Sequence, residues 1–169
     1  MDVSRLKNLL GQLRFTASLP PRAIEQLAEL AELRGFPAGA VLFAEGSRNP
    51  DLYVIAVGSV GLDMNVPARG PTRLLSVGPG ELLAWSALLG GGRMTAMATA
   101  LEDTQVVSVD GRRLAALCDA DHELGYFVMR RLAMGLSERL VATRLQLLDL
   151  FGQETPDRAV DFGPRGFAS

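Results

Sequence analysis

The chain has 169 residues, roughly one domain's worth, of which 48% are hydrophobic and 21% charged, an ordinary globular balance. With 17 Lys plus Arg against 19 Asp plus Glu the formal charge is −2, so the global basic field of a dedicated nucleic-acid binder is absent. Cys118 and His122 are the sole cysteine and histidine, which excludes an intrachain disulfide, a cysteine-held zinc or iron–sulfur cluster and a multi-histidine metal site.

No metal is therefore expected, and Cys118 reads as a small buried hydrophobe. The N-terminus lacks the uninterrupted apolar segment of a signal peptide, and no run approaches the ~18 apolar residues of a membrane helix. The expectation is a soluble, cytoplasmic protein that does not engage a membrane.

Along the chain, Val3, Leu6, Leu9, Leu10 and Leu13 fall at helical spacing, broken by Gly11 near the end. Ser18-Leu19-Pro20-Pro21 opens a second helix, prolines being tolerated in a first turn. Its apolar face is Ile24, Leu27, Ala28, Leu30 and Ala31, so helices are expected over residues 1–33. The pattern then changes over 34–109 to short β-type segments at 40–43, 52–57, 60–64, 73–77, 94–100 and 105–109. Turn residues at 45–50, Gly58, 67–71 and 78–80 separate them. Short strands at this spacing predict a sandwich, barrel or jelly roll.

Helical periodicity returns over 110–151. A short helix spans 111–117, and Asp119 or Asp121 can cap a long one that runs to about Phe151. Leu124, Val128, Leu132, Leu136, Leu140, Thr143, Leu147 and Leu150 form a stripe with spacings of three and four. At about 45 Å this helix outruns so small a β domain. Tyr126 and Phe127 are expected to pack its first turns on the barrel. Leu132, Leu136, Leu140, Thr143, Leu147 and Leu150 are expected to meet a second copy in a homodimer, with Gly135 and Ala142 allowing close approach. The alternative is that the helix folds back onto Leu6, Leu9, Leu10 and Leu13. Residues 152–169 contain Pro156, Gly163, Pro164 and Gly166, have no helical period and read as a flexible tail.

Three motifs in this order carry a resemblance. Residues 37–46 (PAGAVLFAEG) resemble the entry hairpin of the cyclic-nucleotide-binding domain, and residues 52–60 (LYVIAVGSV) resemble its glycine-linked strand pair. Residues 80–89 (GELLAWSALL), followed by Arg93, resemble its phosphate-binding cassette, here 80–93. The resemblance covers 15–151 and implies an α+β fold: a cyclic-nucleotide-binding-like β-jelly-roll (double-stranded β-helix) flanked by N-terminal helices and a long C-terminal helix. The WSALL cassette, the 118–126 segment and residues 138–149 together resemble small bacterial Crp/Fnr-like proteins that consist of this domain alone. A bacterial cytoplasmic regulator is implied.

The resemblance also implies a ligand site. In the family, backbone N–H groups at a short helix face a cyclic phosphate and an arginine completes the charge pairing. Here Ser86, Ala87 and Leu88 would supply amides and Arg93 the guanidinium, with Thr95 and Thr99 placed to reach a base. Trp85 stands where the family has the glutamate that accepts from the ribose 2′-hydroxyl, Ala84 where it has glycine and Gly92 where it has proline, and the spacer is one residue short. An indole N–H cannot accept a hydrogen bond, a loss of about 1–3 kcal/mol. Trp85 could stack on a base or fill the pocket outright.

Other features read blandly. His122 is a solvated residue of a helix start, Gly90-Gly91-Gly92 is a mobile loop, and Arg130, Arg131, Arg139 and Arg144 are solvated flanks of the long helix, with Glu138 pairing locally. No nucleophile–base or metal constellation exists, so an enzyme is not expected. Family members that read DNA carry a helix-turn-helix after the long helix. Residues 152–169 are too few and too proline-rich to build one, so direct DNA binding is not expected. Two readings remain. One is a sensor that takes a small anionic ligand, a cyclic nucleotide among the candidates, and signals through the long helix. The other is a degenerate domain that dimerises and docks a protein partner.

Overall fold

A computed structural model describes residues 3–152. Two helices, α1 (Val3–Gln12) and α2 (Pro21–Leu30), precede strands β1 (Ala31–Phe36), β2 (Val41–Phe43), β3 (Asp51–Val57), β4 (Val60–Val66), β5 (Gly70–Val77) and β6 (Leu82–Leu83). A four-residue helix α3 (Ser86–Leu89) follows, then β7 (Met97–Ala100), β8 (Thr104–Asp110), α4 (Gly111–Ala120) and the 31-residue α5 (His122–Gly152). Two antiparallel four-stranded sheets, ordered β1-β8-β3-β6 and β2-β7-β4-β5, make the jelly roll.

The hydrophobic pattern explains how the layers meet. Along β3, Tyr53 and Ile55 point into the barrel with Val60, Leu62, Leu83, Ala98 and Val106. Leu52 and Val54, on the opposite face, join a second core with Val107 and Val109 of β8. Leu6, Leu10 and Leu13, Leu27 of α2, Leu114 of α4 and Leu124, Val128 and Leu132 of α5 close that second core. Successive strand residues alternate faces, so only a sheet covered on both sides can bury an unbroken apolar run such as Leu52-Tyr53-Val54-Ile55.

Several expectations are corrected. Helix α2 stops at Leu30, and Ala31 turns extended at φ −90° and ψ 150°. Residues 31–36 become β1, which pairs with β8 from Ala31–Val109 to Phe36–Thr104. The strand expected from Met94 starts at Met97. The first half of α5 does fold back onto the leucines around α1, so Leu132 is 2% exposed inside the protomer's own core. It is not available to a second copy. Of the pair expected against the barrel, Phe127 packs on the core while Tyr126 is exposed, the two rings meeting edge-on at 5.4 Å. Residues 153–169, where the tail was expected, lie outside the described residues.

Helix α5 starts on an acidic cap. The Asp121 carboxylate accepts from the Leu124 amide at 3.1 Å and from Gln26 Nε2 at 3.4 Å, with Arg22 3.9 Å away. The Leu124 amide first, then Gln26 and Arg22, hold its carboxyl below the usual carboxylate range against a smaller opposing effect of burial. A depressed folded value means the contribution to stability is complete above the unfolded carboxylate's ordinary pKa, and is lost as pH falls through the folded value. Thermal melts between pH 7 and pH 3 should therefore show a smaller acid loss for Asp121→Asn, which keeps a capping oxygen but does not titrate, than for the wild type. Equal losses would contradict the linkage.

Candidate functional site

The cassette hangs between the two cores. Ala84 is buried and holds φ 56°, one of two non-glycine residues with positive φ among those described. The left-handed turn that glycine would make easily is thus kept by alanine, at a cost of about 1–2 kcal/mol. Trp85 follows at φ −54° and opens the single turn of α3. Beyond it the Gly92 amide donates to the Ser86 carbonyl at 2.8 Å, and the Asn49 amide donates to the Gly92 carbonyl at 2.8 Å. The three glycines therefore form a bonded turn, with Gly91 at φ 67° and Gly92 at φ 80°.

This turn and the loop after β2 border an open cavity of about 510 Å³ lined by Glu45, Gly46, Trp85, Ser86, Gly90, Arg93, Met94 and Thr95. Four of the residues expected at the ligand site, Trp85, Ser86, Arg93 and Thr95, are brought together here. Arg93 stands on an isolated bridge with Arg48, and no ion pair among the described residues engages its guanidinium. Trp85 is half-buried and packs on the outer core, so it forms a wall and leaves the cavity open.

Ala87 and Leu88 do not behave as expected. Their amides already donate to the carbonyls of Ala84 and Trp85, at 2.9 and 3.0 Å, because a single helical turn consumes its own donors. Neither residue lines the cavity. Thr99 sits in the ladder opposite Val41 and Gly61, away from it. His122 is exposed, in keeping with a solvated helix start. Cys118 is buried, and burial first, then Asp119 and Asp121, pushes its thiol pKa up.

Sequence reasoning missed Glu45, which supplies the cavity's carboxylate. Its Oε2 accepts from the Asn65 amide at 2.8 Å. The only signal was its place in the PAGAVLFAEG hairpin, where it reads as a turn residue. Glu138 and the arginines of α5 also depart from the sequence reading. Glu138 pairs with Arg14 at 2.6 Å, and Arg139 is half-buried, donating to the Leu82 carbonyl at 2.6 Å.

Fold and site define a jelly-roll domain with a cassette-bounded cavity. The model of the cyclic nucleotide-binding domain family matches residues 33–121. The chain belongs to that family, within the Crp/Fnr superfamily. It is 27% identical over 153 residues to the CRP-like cAMP-activated global transcriptional regulator of Mycobacterium tuberculosis, covering 90% of this chain and 66% of that protein. It is 31% identical over 119 residues to the cyclic AMP receptor protein of Thermus thermophilus, covering 68% of this chain and 55% of that one. The chain thus spans less than two thirds of either relative. The N-terminal domain of a transcriptional regulator from Streptomyces coelicolor superposes with a TM-score of 0.65 at 26% identity, covering 79% of this chain and 94% of that one.

The backbone at Ala84 can be tested directly. Ala→Gly in a buried strand forfeits a methyl, about 0.8 kcal/mol, and adds roughly 0.5–1 kcal/mol of chain entropy. Ala98→Gly should lose that whole sum. Ala84→Gly should lose almost nothing, because relief of the left-handed strain offsets it. Denaturant melts of both variants measure the contrast, and equal losses would remove the strain argument.

Proposed function

We propose that this chain is a ligand-sensing module that takes a small anion, a cyclic nucleotide first among the candidates, into the cassette-bounded cavity and signals through α5. The observation that supports it most is an open cavity of about 510 Å³ with an arginine on its wall that forms no ion pair within 4 Å among the described residues. A guanidinium there is ready for a bidentate phosphate contact. Trp85 and Thr95 line the same space for a base, and Ser86 offers a hydroxyl. Glu45 stands in the same wall and offers a carboxylate acceptor in place of the family's missing glutamate. A bacterial, cytoplasmic, non-enzymatic regulator accords with this reading, and among the described residues no helix is long and apolar enough to cross a membrane.

Calorimetric titration with cyclic AMP, cyclic GMP and cyclic dinucleotides tests the proposal. Arg93→Ala should weaken the ligand that binds by about 1.5–3 kcal/mol, tenfold or more, and Trp85→Glu should tighten a cyclic nucleotide by restoring an acceptor. Binding unchanged in Arg93→Ala would sink the cassette assignment. No heat with any of these nucleotides would favour the second reading, a dimerising protein-interaction module. That reading draws support from the spent amides of Ala87 and Leu88.

Both readings include a homodimer through α5, on a face that differs from the expected stripe. Leu136 packs partly on the core and Thr143 is half-buried, while the side chains of Leu147 and Leu150 lie outside the described residues. The exposed apolar positions are Met134 at 44%, Leu140 at 52%, Val141 at 53%, Leu145 at 58% and Leu148 at 66%. Met134, Val141 and Leu148 recur every seven residues, with Leu145 on the same side, a coiled-coil spacing. At roughly 1.5–3 kcal/mol per fully buried side chain, these positions on two copies can offset the cost of association. Light scattering at micromolar concentration should return a dimer mass, and Val141→Asp with Leu145→Asp should return a monomer. A monomeric wild type, or a dimer that survives both carboxylates, would exclude this interface.

A further inference from the structure

A second cavity, of about 260 Å³, lies between α5 and the barrel and is separate from the cassette site except for the shared wall of Trp85. Its floor is apolar, with Leu75, Val77 and Leu82. Its roof is the stretch of α5 that carries Gly135 and Ala142, the two small residues expected to bring two helices together. They face this protomer's own barrel instead, and a Cβ built on Gly135 would meet nothing within 4 Å. The slot is therefore open because side chains are missing from its roof.

The charges around it are unevenly satisfied. Arg14 is paired with Glu138 at 2.6 Å, and Glu81 accepts from the Gly78 amide at 2.6 Å. Arg139 donates to one backbone carbonyl and makes no ion pair within 4 Å among the described residues, the Glu81 carboxylate being the opposing charge that acts on it from farther off. Arg131 donates through Nη2 to the Arg14 carbonyl at 2.9 Å, while its Nε is buried without any partner. Arg131 and Arg139 are two helical turns apart on one face, about 12 Å, so they bracket the slot. Buried donors without acceptors are costly and rare, and buried cations normally find a counter-ion. A narrow apolar slot between two under-satisfied guanidinium groups is complementary to an anion with an apolar body.

The geometry points to a second ligand site in this groove, for a small amphipathic monocarboxylate, aromatic or medium-chain. A groove of about 260 Å³ has room for an anion of that size. A carboxylate accepts from a guanidinium fork side-on, and its hydrocarbon would lie on Leu75, Val77 and Leu82. An inorganic anion would leave those walls unused. The inference does not depend on what the cassette cavity binds. Met134 lines the slot and also belongs to the α5 face proposed for pairing, whereas Val141, Leu145 and Leu148 do not line it, so the two surfaces adjoin at Met134.

Trp85 is the chain's single tryptophan and borders the slot, so its fluorescence reports on occupancy without a label. Titration of the full chain with octanoate and with benzoate should give a saturable change with at least one, and octanol and inorganic phosphate should give none. Gly135→Leu, which fills the open space on a helix that favours leucine, should abolish the change with the melting temperature kept. Arg139→Gln should weaken the carboxylate about tenfold or more. Arg93→Ala should leave it unaltered, which separates this groove from the cassette cavity. Four results would each overturn the site: no saturable change with either carboxylate, octanol binding as well as octanoate, phosphate producing the same signal, or loss of the signal in Arg93→Ala.

Discussion

Burial of one sheet from both sides is the constraint on which the rest of the molecule depends. The β1-β8-β3-β6 sheet separates the barrel interior from the helical layer, and β3 and β8 contribute to both cores through alternate residues. Because the helices cover its outer face, the chain is free to leave the barrel at β8 and return across it as α4 and α5. The Gly111 amide donates to the Pro50 carbonyl at 2.9 Å, which fixes the start of α4 against the loop before β3. Gly111 is also where α4 meets the cassette, since a Cβ there would collide with the Ala87 carbonyl. Only glycine permits that approach. The cassette helix is thus held between the barrel and α4, and it has little freedom to move without moving its neighbours.

Trp85 acquires its importance from the same arrangement. A residue that follows the left-handed turn at Ala84 must project from the cassette at the boundary between the two cores. It packs on the outer core, walls the cassette cavity and borders the α5 groove. In a family where this position carries a sugar-binding glutamate, a large apolar side chain changes both what the cavity can bind and what the cavity can touch. Occupants of the two cavities would meet the same indole. Any differential contact with it would link their affinities reciprocally.

The strands with turn residues on both sides were legible, because β-type runs bounded by glycine and proline leave few alternatives. β1 was not, since Leu30-Ala31-Glu32-Leu33 continues a helical spacing and nothing local marks the break. The partner strand that claims it, β8, lies some seventy residues away, and long-range pairing is invisible to a local pattern. The cassette was legible as a motif, and four of its expected ligand residues do share a cavity. The fate of the Ala87 and Leu88 amides was not, because their acceptors are set by backbone geometry. Glu45 was hidden for a related reason: it reaches the site across the fold, and as a turn residue it carries no distinctive signature. On α5 the stripe is buried through Leu132, although Leu132 was expected at the seam with a second copy. Beyond it, period alone does not say which side faces the barrel, and Gly135 and Ala142 reveal that side only once the barrel is in place.

The two halves of α5 are held by different physics, and that difference bears on signalling. Up to Leu132 the helix is anchored by side chains in the main core, of which Leu124, Val128 and Leu132 are each no more than 2% exposed. Beyond it Leu136 packs partly on the core, and polar contacts join Arg14 to Glu138 and Arg139 to the Leu82 carbonyl. The first of these is an exposed pair, a class that contributes about 0–1 kcal/mol, whereas each core leucine contributes about 1.5–3 kcal/mol. A shift of the distal half therefore costs far less than a shift of the proximal half. Arg139 bonds the carbonyl of Leu82, two residues before the strained turn at Ala84, so among the described residues this hydrogen bond joins cassette and distal helix, with the Glu81 carboxylate acting on the same guanidinium. On the proposed reading, a change at the cassette would reach the distal helix through that bond. The part of the helix it would release is the part that carries Val141, Leu145 and Leu148.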